Sequence, residues 1–132
     1  MIPTTLHGAI DYLVALFLIS APYTLGFADG GAAQWATIGL GAFVLIYSLF
    51  TDYELGMVRI LRFRVHLALD VVFAVLLLAS PWVLNFSDRI WWPHVLVGIM
   101  GLVVAAFSAR HPDRFSHVTG GSKPNLGDRR LK

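Results

Sequence analysis

Four long apolar runs constrain the fold of this chain more than any other feature. They extend over about residues 5–26, 32–50, 65–85 and 91–109. A helix needs about 20 apolar residues to cross a hydrocarbon layer about 30 Å thick, so the runs have the length of membrane spans. In lipid, each span must pair its own backbone groups, and the runs lack the alternation of barrel strands. The sequence therefore predicts an all-α membrane protein with four transmembrane helices.

The composition agrees with lipid as the solvent. Of the 132 residues, 57% are hydrophobic and 14% are charged, whereas a soluble domain has about 25% charged residues. The chain contains no cysteine, which excludes disulfides, thiolate zinc sites and Cys-ligated iron–sulfur clusters. Its basic residues are not interleaved with aromatic residues, so we expect no nucleic-acid partner.

The distribution of positive charge predicts the domain boundary and the orientation. Residues 1–109 form the predicted transmembrane domain, and 110–132 form a polar, basic tail. Nine of the ten Lys and Arg residues lie in this tail or in the central link, 51–64. The positive-inside rule then places both termini and the link in the cytoplasm. Five aromatic residues near the opposite ends of the spans fit an interfacial belt: Tyr23, Trp35, Trp82, Trp91 and Trp92.

The two halves of the chain resemble each other without a gap. A shift of 59 positions lays residues 7–29 on 66–88 and extends into the second span of each half. The identical pairs are His7/His66, Asp11/Asp70, Ala15/Ala74, Leu18/Leu77, Pro22/Pro81, Leu25/Leu84, Phe27/Phe86, Asp29/Asp88, Gly39/Gly98 and Val44/Val103. Because each half has two spans, the sequence predicts two parallel helical-hairpin repeats, about 5–50 and 65–109.

The repeated residues resemble the SPW repeat family. The tripeptide Ser-Pro-Trp at 80–82 follows His66 and Asp70, and Ala-Pro-Tyr at 21–23 is its degenerate first copy. The resemblance covers about residues 6–110. It implies a small integral protein of the bacterial inner membrane, but it implies no activity.

Each half also carries a predicted helix stop. Pro22 is followed four residues later by Gly26, and Pro81 by Asn85. Glycine and asparagine tolerate the left-handed backbone conformation that ends many helices. We therefore expect the first and third helices to end at these positions.

An HxxxD element in each half is the candidate functional feature. His7 and Asp11 are four residues apart, as are His66 and Asp70, so each pair lies on one helix face. An aspartate in mid-membrane costs roughly 2.5–3.5 kcal/mol on insertion scales, so these side chains need partners. If the first and third helices meet, all four side chains converge near the cytoplasmic ends of the helices.

Three interpretations of this cluster are open. The favoured one is a structural polar lock between the helices. Alternatively, His7, Asp11, His66 and Asp70 bind a divalent metal such as zinc or iron, or the two histidines bind haem. A proton or small-solute pathway is the third, although the outer halves of the helices offer few polar residues to continue it. His94 pairs with Trp35 in the repeat and is expected at the surface.

No enzyme signature accompanies the cluster. The sequence contains no nucleotide-binding loop, nucleophile elbow or zinc-protease helix. The sequence therefore favours a structural or interaction protein over an enzyme. Its expected partners are the lipid bilayer and either a second copy or another membrane protein.

Overall fold

Four helices make up most of the chain. The computed structural model describes residues 2–109, with α1 at Thr4–Thr24, α2 at Ala32–Leu49, α3 at Phe63–Val83 and α4 at Trp92–Ser108. Helices α1 to α3 are long and apolar enough to cross a membrane, and α4 is apolar but shorter, at 17 residues. The predicted all-α fold is confirmed, and every helix boundary lies within two residues of its predicted position. The predicted tail lies outside the described residues.

The helices pack as two hairpins. Helix α1 packs along α2, and α3 packs along α4. The hairpins meet through smaller contacts of α2 with α3 and of α1 with α4. This arrangement fits the two predicted hairpins and brings the beginnings of α1 and α3 together.

The predicted helix stops are confirmed. After α1, Gly26 has φ 77°, and after α3 Asn85 has φ 57°. The Phe27 N–H donates to the carbonyl of Pro22 at 2.9 Å, and the same bond recurs in the second hairpin. This bond, from the sixth residue back to the first, is typical of a Schellman motif. It satisfies a backbone carbonyl that has no partner within the helix. Both helices therefore end where the chain must turn back into the membrane.

The second helix of each hairpin departs from the gapless repeat. In α2, Gly41 packs against the Ala15 carbonyl, and in α4, Gly98 packs against the Ala74 carbonyl. These matching glycines are 57 residues apart, not 59. Gly39, the predicted mate of Gly98, has open space where a side chain would be. The expected equivalence of Gly39 and Gly98 is therefore wrong, because the stretch from Phe27 to Gly41 is two residues longer than the equivalent stretch from Phe86 to Gly98.

An apolar core fills the middle of the hairpin pair. Its buried members come from all four helices: Ala15, Leu18, Val44, Tyr47, Phe73, Ala74, Leu77 and Val97. The five predicted belt residues are each about half exposed or more, and they lie at the opposite end from the HxxxD elements. The polar cluster at one end is thus separated from the other end by tightly packed apolar side chains.

The glycine contacts predict unequal tolerance to a larger side chain. A Cβ at Gly41 would lie 3.0 Å from the Ala15 carbonyl oxygen and 2.9 Å from Leu18 Cβ. We expect Gly41→Leu to lower the free energy of unfolding by about 1–3 kcal/mol through overpacking. Gly39→Leu is the matched control and should change it by less than about 0.5 kcal/mol. Thermal unfolding in detergent, followed by circular dichroism, measures both; equal stabilities would contradict the packing described.

Candidate metal centre

The two HxxxD elements form one buried cluster. His7 and Asp11 lie on the first turns of α1, and His66 and Asp70 lie on the first turns of α3. All four side chains are buried. One nitrogen or oxygen atom from each lies within 4.8 Å of the others. The predicted convergence of the four side chains is therefore confirmed.

The distances within the cluster are short and nearly equal. His7 Nε2 is 3.0 Å from Asp70 Oδ2, 3.1 Å from His66 Nε2 and 3.5 Å from Asp11 Oδ2. His66 Nε2 is 3.1 Å from Asp11 Oδ2 and 3.3 Å from Asp70 Oδ2. Each imidazole is therefore closer to the carboxylate of the other helix than to that of its own. The cluster links α1 to α3 across the hairpin interface.

These distances fit the edges of a tetrahedron. A zinc ion bound by imidazole nitrogen and carboxylate oxygen has bonds of about 2.0–2.2 Å, which gives ligand-to-ligand edges of about 3.3–3.6 Å. The five distances above lie between 3.0 and 3.5 Å. The sixth edge joins the two carboxylates, whose ligand atoms lie within 4.8 Å of each other.

Crossed hydrogen bonds can serve each Nε2 atom once, but they do not account for the 3.1 Å approach of the two Nε2 atoms to each other. Each Nε2 atom has three neighbours within 3.5 Å. A ring N–H points in one direction and can serve only one acceptor well. A metal ion, in contrast, could bind all four atoms at once.

Hydroxyl groups hold the far side of each imidazole. Thr51 Oγ1 is 2.7 Å from His66 Nδ1, and it donates its own proton to the Tyr47 carbonyl at 2.6 Å. The threonine oxygen must therefore accept from His66 Nδ1–H. In the neutral ring this leaves the lone pair on Nε2, which faces the cluster. Ser108 Oγ lies 2.8 Å from His7 Nδ1 in the equivalent place. Such outer partners are typical of metal-binding histidines.

Two tyrosines contact the carboxylates. The Tyr47 hydroxyl donates to Asp70 Oδ1 at 2.6 Å, which leaves Oδ2 directed at the imidazoles. The Tyr53 hydroxyl lies 3.5 Å from Asp11 Oδ2. Burial raises the pKa of Tyr53, so its hydroxyl keeps its proton at neutral pH. Both carboxylates are therefore oriented by groups outside the cluster.

The central link covers the open end of the cluster. Tyr53 packs beside His66, with ring centroids 5.5 Å apart, and lies directly against Gly8. A Cβ at Gly8 would come within 2.0 Å of the Tyr53 ring, so the close approach requires glycine. The Tyr12 hydroxyl donates to the Leu55 carbonyl at 2.8 Å and ties the link to α1. The cluster is thereby shielded from water.

The geometry does not suit haem. Two axial ligands lie on opposite faces of the ring and are separated by two metal–nitrogen bonds, about 4 Å in total. The two Nε2 atoms are 3.1 Å apart. The cavity that touches both carboxylates has a volume of about 20 Å³, which is room for about one water molecule. A planar macrocycle has no place between these histidines.

His94 forms a second buried polar contact, at the other end of the helices. The expectation that it lies at the surface is wrong, since only 1% of it is exposed. Its Nε2 atom is 2.8 Å from Thr37 Oγ1, and its ring packs between Phe27 and Phe86. Thr37 and His94 are 57 residues apart. The gapless repeat had paired His94 with the exposed Trp35 instead.

Four hydroxyl side chains that contact the cluster were not predicted from the sequence: Tyr47, Thr51, Tyr53 and Ser108. The spacing of Tyr47 and Thr51, four residues apart, is the one local signal, since a threonine hydroxyl can donate to the carbonyl four residues earlier at the end of a helix. Ser108 is 101 residues from His7, and no local pattern relates the two.

Comparison with known proteins identified one family. The family model described as the SPW repeat domain matches residues 5–108. The matched region contains all four residues of the cluster. No curated protein and no solved structure matched the chain.

The contact between Thr51 and His66 predicts a difference between two substitutions. Thr51→Val removes the acceptor of a buried N–H and should lower the free energy of unfolding by about 1–3 kcal/mol. Thr51→Ser keeps the hydroxyl and should lose clearly less. Thermal unfolding of both variants in detergent tests this, and a serine variant as unstable as the valine variant would argue against the hydrogen bond.

Proposed function

The chain belongs to the SPW repeat family and is a membrane protein, and from this premise we propose that it holds a divalent metal ion, most suitably Zn²⁺, within the membrane. The ligands are His7, Asp11, His66 and Asp70. The observation that carries the proposal is the convergence of two imidazole nitrogens and two carboxylate oxygens from α1 and α3, all within 4.8 Å of one another.

Charge balance supports a divalent ion. Two ionised carboxylates in an apolar, buried place are costly unless they are compensated. One divalent cation neutralises both and leaves the imidazoles neutral, as metal ligation requires. Thr51 supports this state because it accepts from His66 Nδ1–H and leaves Nε2 free to bind.

The number of ligands favours a structural role over a catalytic one. Structural zinc sites use four protein ligands, whereas catalytic sites keep one position for water or substrate. The cluster offers four protein atoms and lies under Tyr53 and the central link. The ion would therefore join the two hairpins, in keeping with a structural or interaction protein rather than an enzyme.

The proposed orientation places this centre near the cytoplasmic side of the bacterial inner membrane. The excess of Lys and Arg in the link and the tail supports cytoplasmic termini. The cluster lies at the same end of the helices as the link. An ion would then reach the centre from the cytoplasm.

A second candidate is the polar lock without metal. In that state the Nε2–H group of each imidazole donates to the carboxylate of the other helix. The crossed distances of 3.0 Å from His7 to Asp70 and 3.1 Å from His66 to Asp11 support it. The lock predicts a stability that chelators do not change.

Elemental analysis of the purified protein separates the two candidates. We expect about one zinc per chain after expression with added zinc and purification without a histidine tag. His66→Ala should lose the metal. His94→Ala is the matched control, because His94 is also buried but lies outside the cluster, and it should keep the metal.

Two results would contradict metal binding. The first is a folded wild-type protein without metal after zinc supplementation. The second is metal that remains in His66→Ala, which would place it elsewhere on the chain. Circular dichroism checks that each variant is folded.

A further inference from the structure

The central link has a defined fold of its own. Residues 50–62, which connect α2 to α3, turn back on the end of α2. There the Met57 and Val58 N–H groups donate to the Leu49 carbonyl at 2.9 and 3.0 Å. The Leu61 N–H donates to the Phe50 carbonyl at 2.8 Å. These bonds fix the link against the last turn of α2, so it lies at the depth where that helix leaves the membrane.

The link has two chemically different faces. The inner face carries Thr51 and Tyr53, which are buried against the His/Asp cluster. The outer face carries Met57 and Ile60, which are 79% and 74% exposed, and Val58, which is also exposed. Exposing apolar surface to water costs about 25 cal/mol of free energy per Å², so these side chains would be unfavourable in water. They are suited to the boundary of a lipid layer.

Basic residues surround these apolar side chains. Arg59 lies between Val58 and Ile60 in sequence, and Arg62 and Arg64 follow. All three arginines are exposed and make no ion pair within residues 2–109. Acidic residues of the link lie at its other end, where Glu54 accepts a hydrogen bond from Thr4 at 2.8 Å. The outer face therefore combines apolar and positively charged groups.

We infer that the outer face of the link, formed by Met57, Val58, Arg59 and Ile60, is a docking surface for anionic phospholipid headgroups. The apolar side chains enter the boundary between headgroups and acyl chains, and Arg59 binds lipid phosphate. This combination is typical of segments that lie in the interface of a membrane. Charge complementarity favours an anionic lipid over a zwitterionic one. The inference does not depend on a metal in the cluster.

Site-directed spin labelling tests this surface, because the chain has no cysteine. We would label Ile60→Cys and, separately, Met57→Cys in full-length protein reconstituted into nanodiscs. One set contains phosphatidylglycerol, and the other contains phosphatidylcholine alone. In the anionic bilayer, we expect the labels to collide more with oxygen than with a water-soluble nickel chelate. Adding Arg59→Gln should lower the affinity of this face for anionic headgroups about fivefold, from about 1 kcal/mol per basic residue near an anionic surface, and should raise the nickel accessibility of both labels.

The control is Arg89→Gln, at the opposite end of the helices, where Arg89 pairs with Asp29. It should leave the accessibility of both labels unchanged. Labels equally open to the nickel chelate in both bilayers would overturn the inference and would make the face available to a protein partner. Equal effects of Arg59→Gln and Arg89→Gln would also overturn it.

Discussion

The structure depends on how two carboxylates are compensated inside an apolar protein. Asp11 and Asp70 are buried at the interface of two hairpins, where an isolated charge would be expensive. Two imidazoles approach them at 3.0–3.5 Å from both helices. The closest pairs cross between α1 and α3, so the same contacts that compensate the charges also hold the two hairpins together. Removing one member would leave its partners buried and unpaired.

The rest of the fold positions this interaction. Gly41 and Gly98 let α2 and α4 approach the backbones of α1 and α3 closely. That approach places Thr51 and Ser108, at the ends of α2 and α4, against the two imidazoles. Each hydroxyl belongs to the hairpin opposite to the histidine that it contacts. The apolar packing along the hairpins therefore determines which atoms of the cluster face each other.

Much of this arrangement was predictable from local sequence. Long apolar runs predict the helices, and the pairs of His and Asp four residues apart predict a shared face. The partners of the cluster were not predictable, since contacts such as that of His7 with Ser108 join residues 101 positions apart. His94 was placed wrongly for a simpler reason. The stretch from Phe27 to Gly41 is two residues longer than that from Phe86 to Gly98. This shifts the match from 59 to 57, so the true counterpart of His94 is Thr37.

The geometry of a bound ion distinguishes a metal centre from a metal-free lock of the same four side chains. X-ray absorption at the zinc edge, on protein loaded with zinc in detergent or nanodiscs, reports the number, type and distance of the ligands. A zinc ion held by the cluster should have four nitrogen and oxygen ligands at about 2.0–2.2 Å, two of them with the outer-shell scattering of imidazole. The His66→Ala variant should lose this signal. Six oxygen ligands without imidazole scattering, or a spectrum unchanged in His66→Ala, would contradict the metal centre.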